Sequence, residues 1–116
     1  ADTINRIIDV FPPHNQAQIR TQLASVLKGV ITQQLLPLNG EEGRVVATEI
    51  LLNNEAVGNL IRENKMHQLE STMQSNLASG MHTLNNDLKM LVMHGKITRE
   101  TAIQYSSNPK ELMQYV

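Results

Sequence analysis

Four histidines, His14, His67, His82 and His94, are the side chains best suited to hold a metal or move a proton. No two of them stand at i and i+3 or i and i+4, and no carboxylate completes a ligand set around any of them. They read as surface or helix-end residues, and no metal site is expected. Glu41 and Glu42 are the nearest thing to an acid/base pair, but they fall in a polar turn where both are solvated. Cysteine is absent, which excludes a thiol nucleophile, a thiolate metal site and a disulfide framework, and permits a reducing compartment. No G-x-x-x-x-G-K-[ST], G-x-G-x-x-G or G-x-S-x-G run occurs, so neither a phosphate cradle nor a nucleophile elbow can be built from these residues. No catalytic residue is therefore assigned within the chain.

Ten Lys and Arg oppose eleven Asp and Glu without any block of like charge, and aromatic residues are 3% of the chain. That balance offers no footprint for nucleic acid and no stacking platform for bases. No apolar run approaches the ~18 residues that span a bilayer, so direct membrane insertion is not expected. The six methionines, Met66, Met73, Met81, Met90, Met93 and Met113, follow the apolar helical faces and are read as core filling rather than as an adaptable partner groove.

The elements that must position these residues follow from periodicity. Ile4, Ile7, Ile8 and Phe11 recur at helical spacing until Pro12-Pro13 stops them. Asn15, with Gln18 three residues on, is the expected cap of a second helix with Ile19, Leu23, Val26, Leu27 and Val30 on its inner face. Ile31 to Leu36 reads as a strand stopped by Pro37, and Asn39 to Gly43 as a turn with two glycines available for positive φ. Arg44 to Leu52 is the returning strand, with Ile50, Leu51 and Leu52 expected to be covered on both faces.

Beyond Leu52 the pattern is helical throughout. Asn53 or Asn54 caps a helix carrying Val57, Leu60 and Ile61, and Leu69, Met73 and Leu77 mark another that Gly80 closes. Thr83 caps a third with Leu84, Leu88, Leu91 and Val92 inward, Ile97 and Thr98 start a fourth, and Asn108-Pro109-Lys110-Glu111 opens a short last one. The fold class expected is α+β, mainly α: helices plus a β-hairpin in residues 1–52, then a helical bundle in 53–116. The chain opens at Ala1-Asp2, without methionine, directly into a helical pattern, which predicts a cut inside a longer protein.

Ile4-Asn5-Arg6-Ile7-Ile8-Asp9-Val10-Phe11-Pro12-Pro13, Gln33-Gln34-Leu35-Leu36-Pro37, Gly43-Arg44-Val45, Gly80-Met81 and Gly95 with Ile97-Thr98 together resemble the PilT family, the type IV pilus retraction ATPases of twitching motility, within the secretion ATPase superfamily. The resemblance covers essentially the whole chain. Its most specific part is Asn59-Leu60-Ile61-Arg62-Glu63, and Ala56-Val57-Gly58-Asn59-Leu60-Ile61-Arg62 resembles the family's retraction motif Ala-Ile-Arg-Asn-Leu-Ile-Arg; Val57 replaces Ile, and Gly58 replaces Arg. The resemblance implies a C-terminal fragment in which residues 1–52 complete a RecA-like P-loop ATPase core and residues 53–116 form a C-terminal helical domain. It further implies that the parent is a hexameric, cytoplasmic motor at the inner face of the membrane that uses ATP and Mg, and that its partner is the pilus inner-membrane platform protein. The Walker A, Walker B and histidine motifs of such a parent lie outside the chain, so no cofactor and no activity are expected of these residues alone. Extension and type II secretion ATPases of the superfamily usually carry two Cys pairs after the strand matching Ile31 to Leu36, where Pro37-Leu38-Asn39 here runs straight into the turn, which favours retraction. A helical adaptor without catalysis is the competing class.

Overall fold

The computed structural model describes residues 2–76 and 79–116. Two compact units divide the chain, one made of residues 1–30 and 51–81, the other of 31–50 and 82–116. Both are therefore discontinuous in sequence, and both draw on the same hairpin.

The first unit contains α1 (Asp2–Asp9) and α2 (Pro13–Val26), the base of the hairpin formed by β1 (Gly29–Pro37) and β2 (Arg44–Leu52), then α3 (Glu55–Arg62), a 3-10 turn (Met66–Gln68) and α4 (Leu69–Ser75). Ile4 and Ile8 of α1 are buried with Ala24, Leu51, Val57, Ile61, Leu69, Met73 and Met81, and Leu23, Leu27 and Leu60 close the cluster at its margin. Ile7 and Phe11, expected on the same face, are 39% and 37% exposed. The helix ends at Asp9, ahead of the two prolines, so Phe11 lies outside it and the inward stripe is an i, i+4 pair.

The second helix starts two residues earlier than its expected cap. Pro13 occupies the first turn, Pro12 precedes it without a side-chain cap, and the Asn15 amide bonds Pro12 O at 2.9 Å. Proline supplies a helical φ and lacks one of the amides a cap would have to satisfy, so Asn15 is left inside the helix. Val26, expected inward, is exposed. At the base of the hairpin a Cβ on Gly29 would stand 3.0 Å from Leu51 O, so any other residue would make the Leu51 backbone give by a few tenths of an ångström. Leu51 is buried and Leu52 is 39% exposed, so the run from Ile50 is not covered on both faces. In a two-stranded sheet, successive side chains alternate between one packed and one open face. Leu77, expected on the α4 face, lies outside the described residues.

The second unit holds the arms and tip of the hairpin with α5 (Leu84–Met93), α6 (Arg99–Tyr105) and α7 (Pro109–Leu112). Gly40 and Gly43 take the turn at φ 70° and 105°. Leu36 and Ala47 point inward and pack with Leu84, Leu88, Ile97, Ala102 and Leu112, while Ile31, Leu35 and Val46 stand exposed. Thr83, Thr98 and Asn108 cap the three helices, each accepting a backbone amide three residues on. The buried Asn85 amide ties them together: it donates to Asn108 O and to the Glu111 carboxylate, and its oxygen accepts the Ser106 hydroxyl.

Expected as one bundle, the helices after Leu52 are thus shared between units, α3 and α4 with α1 and α2, and α5 to α7 with the hairpin arms. The mixed, mainly helical class with one two-stranded sheet is as expected. Among the described residues no helix is long and apolar enough to cross a membrane.

Candidate functional site

The stretch from Ala56 to Arg62 lies on α3, which begins where Asn54 accepts the Val57 amide at 2.9 Å. Of the two asparagines that compete for this cap, Asn54 takes it. Asn53 does something the sequence gives no sign of: its Nδ2 donates to Ala24 O at 3.0 Å and to Leu27 O at 2.6 Å, and its own amide donates to Lys28 O at 3.0 Å. These bonds satisfy carbonyls that the end of α2 leaves without intrahelical partners, and they fix the approach of α3 to α2.

Helical period sorts the motif into two faces. Val57, Gly58 and Ile61 are buried, and Leu60 is half-buried. Ala56, Asn59 and Arg62 are exposed. Burial of Gly58 has a structural reason, since its Cα faces Ala24 O and the Asn53 side chain; a Cβ there would meet both at 3.6 Å, and Arg62 Nη1 at 3.7 Å. On the outer face Arg62 Nη2 donates to Asn59 Oδ1 at 2.6 Å. That i, i+3 bond holds a guanidinium in one orientation on an otherwise solvated surface. Glu63 next to it pairs with Lys65 at 3.1 Å, an exposed contact of little energetic weight.

The second unit carries a polar cluster that sequence reasoning missed. Thr48 on β2 donates its amide to Asp87 Oδ2 at 2.7 Å, and its Oγ1 shares a hydrogen bond of 2.8 Å with His82 Nε2. His82 also extends the sheet, exchanging backbone bonds of 3.0 Å with Ile50 in both directions. Glu49 accepts the Leu84 amide at 3.1 Å, so two neighbouring β2 residues hold the start of α5. His82 is therefore a half-buried structural histidine, whereas His14, His67 and His94 are exposed as read. No group of three or more His, Asp or Glu placed to hold a metal occurs among the described residues.

Met66, Met73 and Met81 fill the first unit's core. Met90, Met93 and Met113 do not follow them and are exposed, Met93 to 66%. Periodicity alone cannot separate these groups, because both stand at helical spacing and only the packing of each helix decides which face is covered.

No protein-family model matches the chain. It is 43% identical over 97% of its length to a twitching motility protein of Neisseria gonorrhoeae and 43% identical over 95% to the type IV pilus retraction ATPase PilT of Pseudomonas aeruginosa. A crystal structure of the pilus retraction motor PilT with bound ADP superposes on 97% of the chain with a TM-score of 0.84 at 46% identity. The chain spans 30% and 32% of the two relatives and 31% of the solved chain.

Proposed function

We propose, for a chain homologous along nearly all of its length to the pilus retraction ATPases, that it is the part of such a motor that passes ATP-driven domain motion towards the pilus base. In this reading ATP and Mg are handled elsewhere in the parent, between subunits of a hexameric ring, and the domain motion they drive is a ligand-coupled rearrangement. The chain then completes a RecA-like core and supplies the parent's helical domain, the two units each drawing on residues from both sides of Leu52. The ring works in the cytoplasm at the inner face of the membrane, against the platform protein of the pilus. The exposed Ile31, Leu35 and Val46 on one hairpin face support this, since an apolar strand face of that kind is expected to be covered by another layer of a larger core.

The observation that carries the reading is the division of α3 into a buried apolar face and an exposed one on which Asn59 holds Arg62. A helix used only for packing has no need of an oriented guanidinium on its outer side. Asn59→Ala and Arg62→Ala in the full-length motor are expected to leave ring assembly and melting nearly unchanged, to retain part of the ATP turnover, and to abolish twitching. Normal twitching in the double variant would reduce α3 to a structural helix. The exposure of Met90, Met93 and Met113 favours a second reading, an adaptor that grips a partner through soft apolar side chains. A parent protein without a phosphate-binding loop would select it, whereas extension or secretion by a related motor would show as lost export or piliation with retraction intact.

A further inference from the structure

The hairpin tip carries the chain's one Asn-Gly pair, Asn39-Gly40. It is held at its two ends: the Asn39 amide donates to Lys96 O at 2.8 Å, and the Leu38 amide donates to Gly43 O at 3.3 Å. Between these bonds, among the described residues, neither the Gly40 amide nor the Asn39 side chain makes a hydrogen bond. Both residues are exposed, Gly40 stands at φ 70°, and a Cβ added to it would meet nothing within 4 Å. An asparagine carboxamide is an electrophile, and the nucleophile next to it along the chain is the following residue's amide nitrogen. Three things obstruct that attack: a side chain on the following residue, a hydrogen bond that occupies its N–H, and a bond that holds the carboxamide away. Glycine removes the first, and the open tip removes the other two. Every other asparagine precedes a residue with a side chain. Several are obstructed twice: the amide after Asn64 is given to Leu60 O, the carboxamides of Asn53, Asn59 and Asn85 are bonded, and Pro109 after Asn108 has no N–H.

We propose that Asn39 is a site of spontaneous covalent modification, where its carboxamide becomes isoaspartate through a succinimide closed by the Gly40 nitrogen. In the first step the bond from Gly40 N to Asn39 Cγ forms and the Cγ–Nδ2 bond breaks; Nδ2 leaves as ammonia, taking the proton that Gly40 gives up. Water, the only co-reactant, then opens the ring. Attack at the Asn39 main-chain carbonyl leaves Gly40 joined through Cγ, which is isoaspartate, and attack at Cγ leaves ordinary aspartate. Either product places a carboxylate beside the exposed Glu41 and Glu42 and adds one negative charge to a formal net charge of −1. Isoaspartate also lengthens the main chain by one methylene, between the bond to Lys96 O and the start of β2. Leu36 and Ala47 keep their packing, because the change falls in an exposed tip outside both strands. The site does not depend on a motor function, so its test is made on the chain alone.

The 116-residue chain is aged at mildly alkaline pH, both native and in urea, and mapped by mass spectrometry with electron-transfer fragmentation, which separates isoaspartate from aspartate. Isoaspartate is counted independently with an isoaspartyl methyltransferase and labelled S-adenosylmethionine. Deamidation is expected first at Asn39, with isoaspartate the larger product, and at nearly the same rate in the native as in the unfolded chain. Gly40→Ala adds a Cβ that meets nothing, so the fold is kept at some cost in backbone strain. It should slow the reaction about ten-fold or more, a barrier raised by about 1.4 kcal/mol. Asn39→Gln, which must close a larger ring, should remove the early methyl acceptor without strain at position 40. Earlier deamidation at another asparagine or an unchanged rate in Gly40→Ala overturns the proposal. So does a native rate about ten-fold or more below that of the unfolded chain, since the fold would then shield the tip. None of these results bears on whether Asn59 and Arg62 are needed for twitching.

Discussion

Ile61 and Leu60 are adjacent on α3, yet they do different work. Ile61 is fully buried among α1, α2 and α4 residues, while Leu60 only borders that cluster. Truncating Ile61 to Ala is expected to cost about 2–5 kcal/mol through lost transfer energy and the cavity left behind, and Leu60→Ala clearly less. Thermal or urea unfolding of the two variants measures the difference, and equal losses would mean the helix is rotated from the orientation described. Asn53→Ala acts at the same place by another route. It strips donors from Ala24 O and Leu27 O, so a loss of about 1–3 kcal/mol is expected despite the small change in apolar area. Asn53→Asp, which keeps the shape but not the donor, should not rescue it.

At the scale of elements, the ends of the helices are where local sequence and structure agree best. Thr83 is completely buried and caps α5, so Thr83→Ala should destabilise by about 1 kcal/mol or somewhat more, and Thr83→Ser should recover most of that. Asn85→Ala should release α7: hydrogen exchange at the α7 amides should accelerate while the α3 amides keep their protection, because Asn108 and Glu111 lose their shared anchor. The second strand was legible residue for residue, Arg44 to Leu52, because the polar turn ending at Gly43 gives way to the β-branched, apolar run from Val45, and Asn53 marks its end. The cap of α2 was not, since an asparagine with a glutamine three residues on is an ordinary capping signal and the neighbouring proline outranks it. Of the site, helical period placed Val57, Leu60 and Ile61 inward; Val57 and Ile61 are buried, whereas Leu60 is half-buried. The Asn53 clamp and the Thr48, His82 and Asp87 cluster were not legible, because they join residues separated by 26 to 39 positions and depend on topology that spacing does not encode.

At the scale of the molecule, composition and motif search identified what the chain lacks, whereas the two-unit organisation was invisible to both. Each unit takes one segment from either half of the sequence. Cutting the chain between Leu52 and Asn53 should therefore leave two pieces of which neither folds alone: residues 1–52 keep Ile4 and Ile8 but lose Val57, Ile61 and Leu69, and residues 53–116 lose Leu36 and Ala47. Circular dichroism of the separate pieces should show little cooperative melting, and mixing them should restore it. Independent cooperative melting of residues 53–116 would show that the helices after Leu52 hold together without the hairpin.

The same interleaving dictates an order of events on the ribosome. Residues 1–30, made before the rest, offer little more than Ile4, Ile8 and Ala24 to a core whose remaining members arrive between Leu51 and Met81. The hairpin arms, synthesised before that core can close, must then wait for residues 82–116 to bury Leu36 and Ala47. Until the later segments follow, these residues display apolar helix and hairpin faces, the condition under which chains associate wrongly and holding factors engage them.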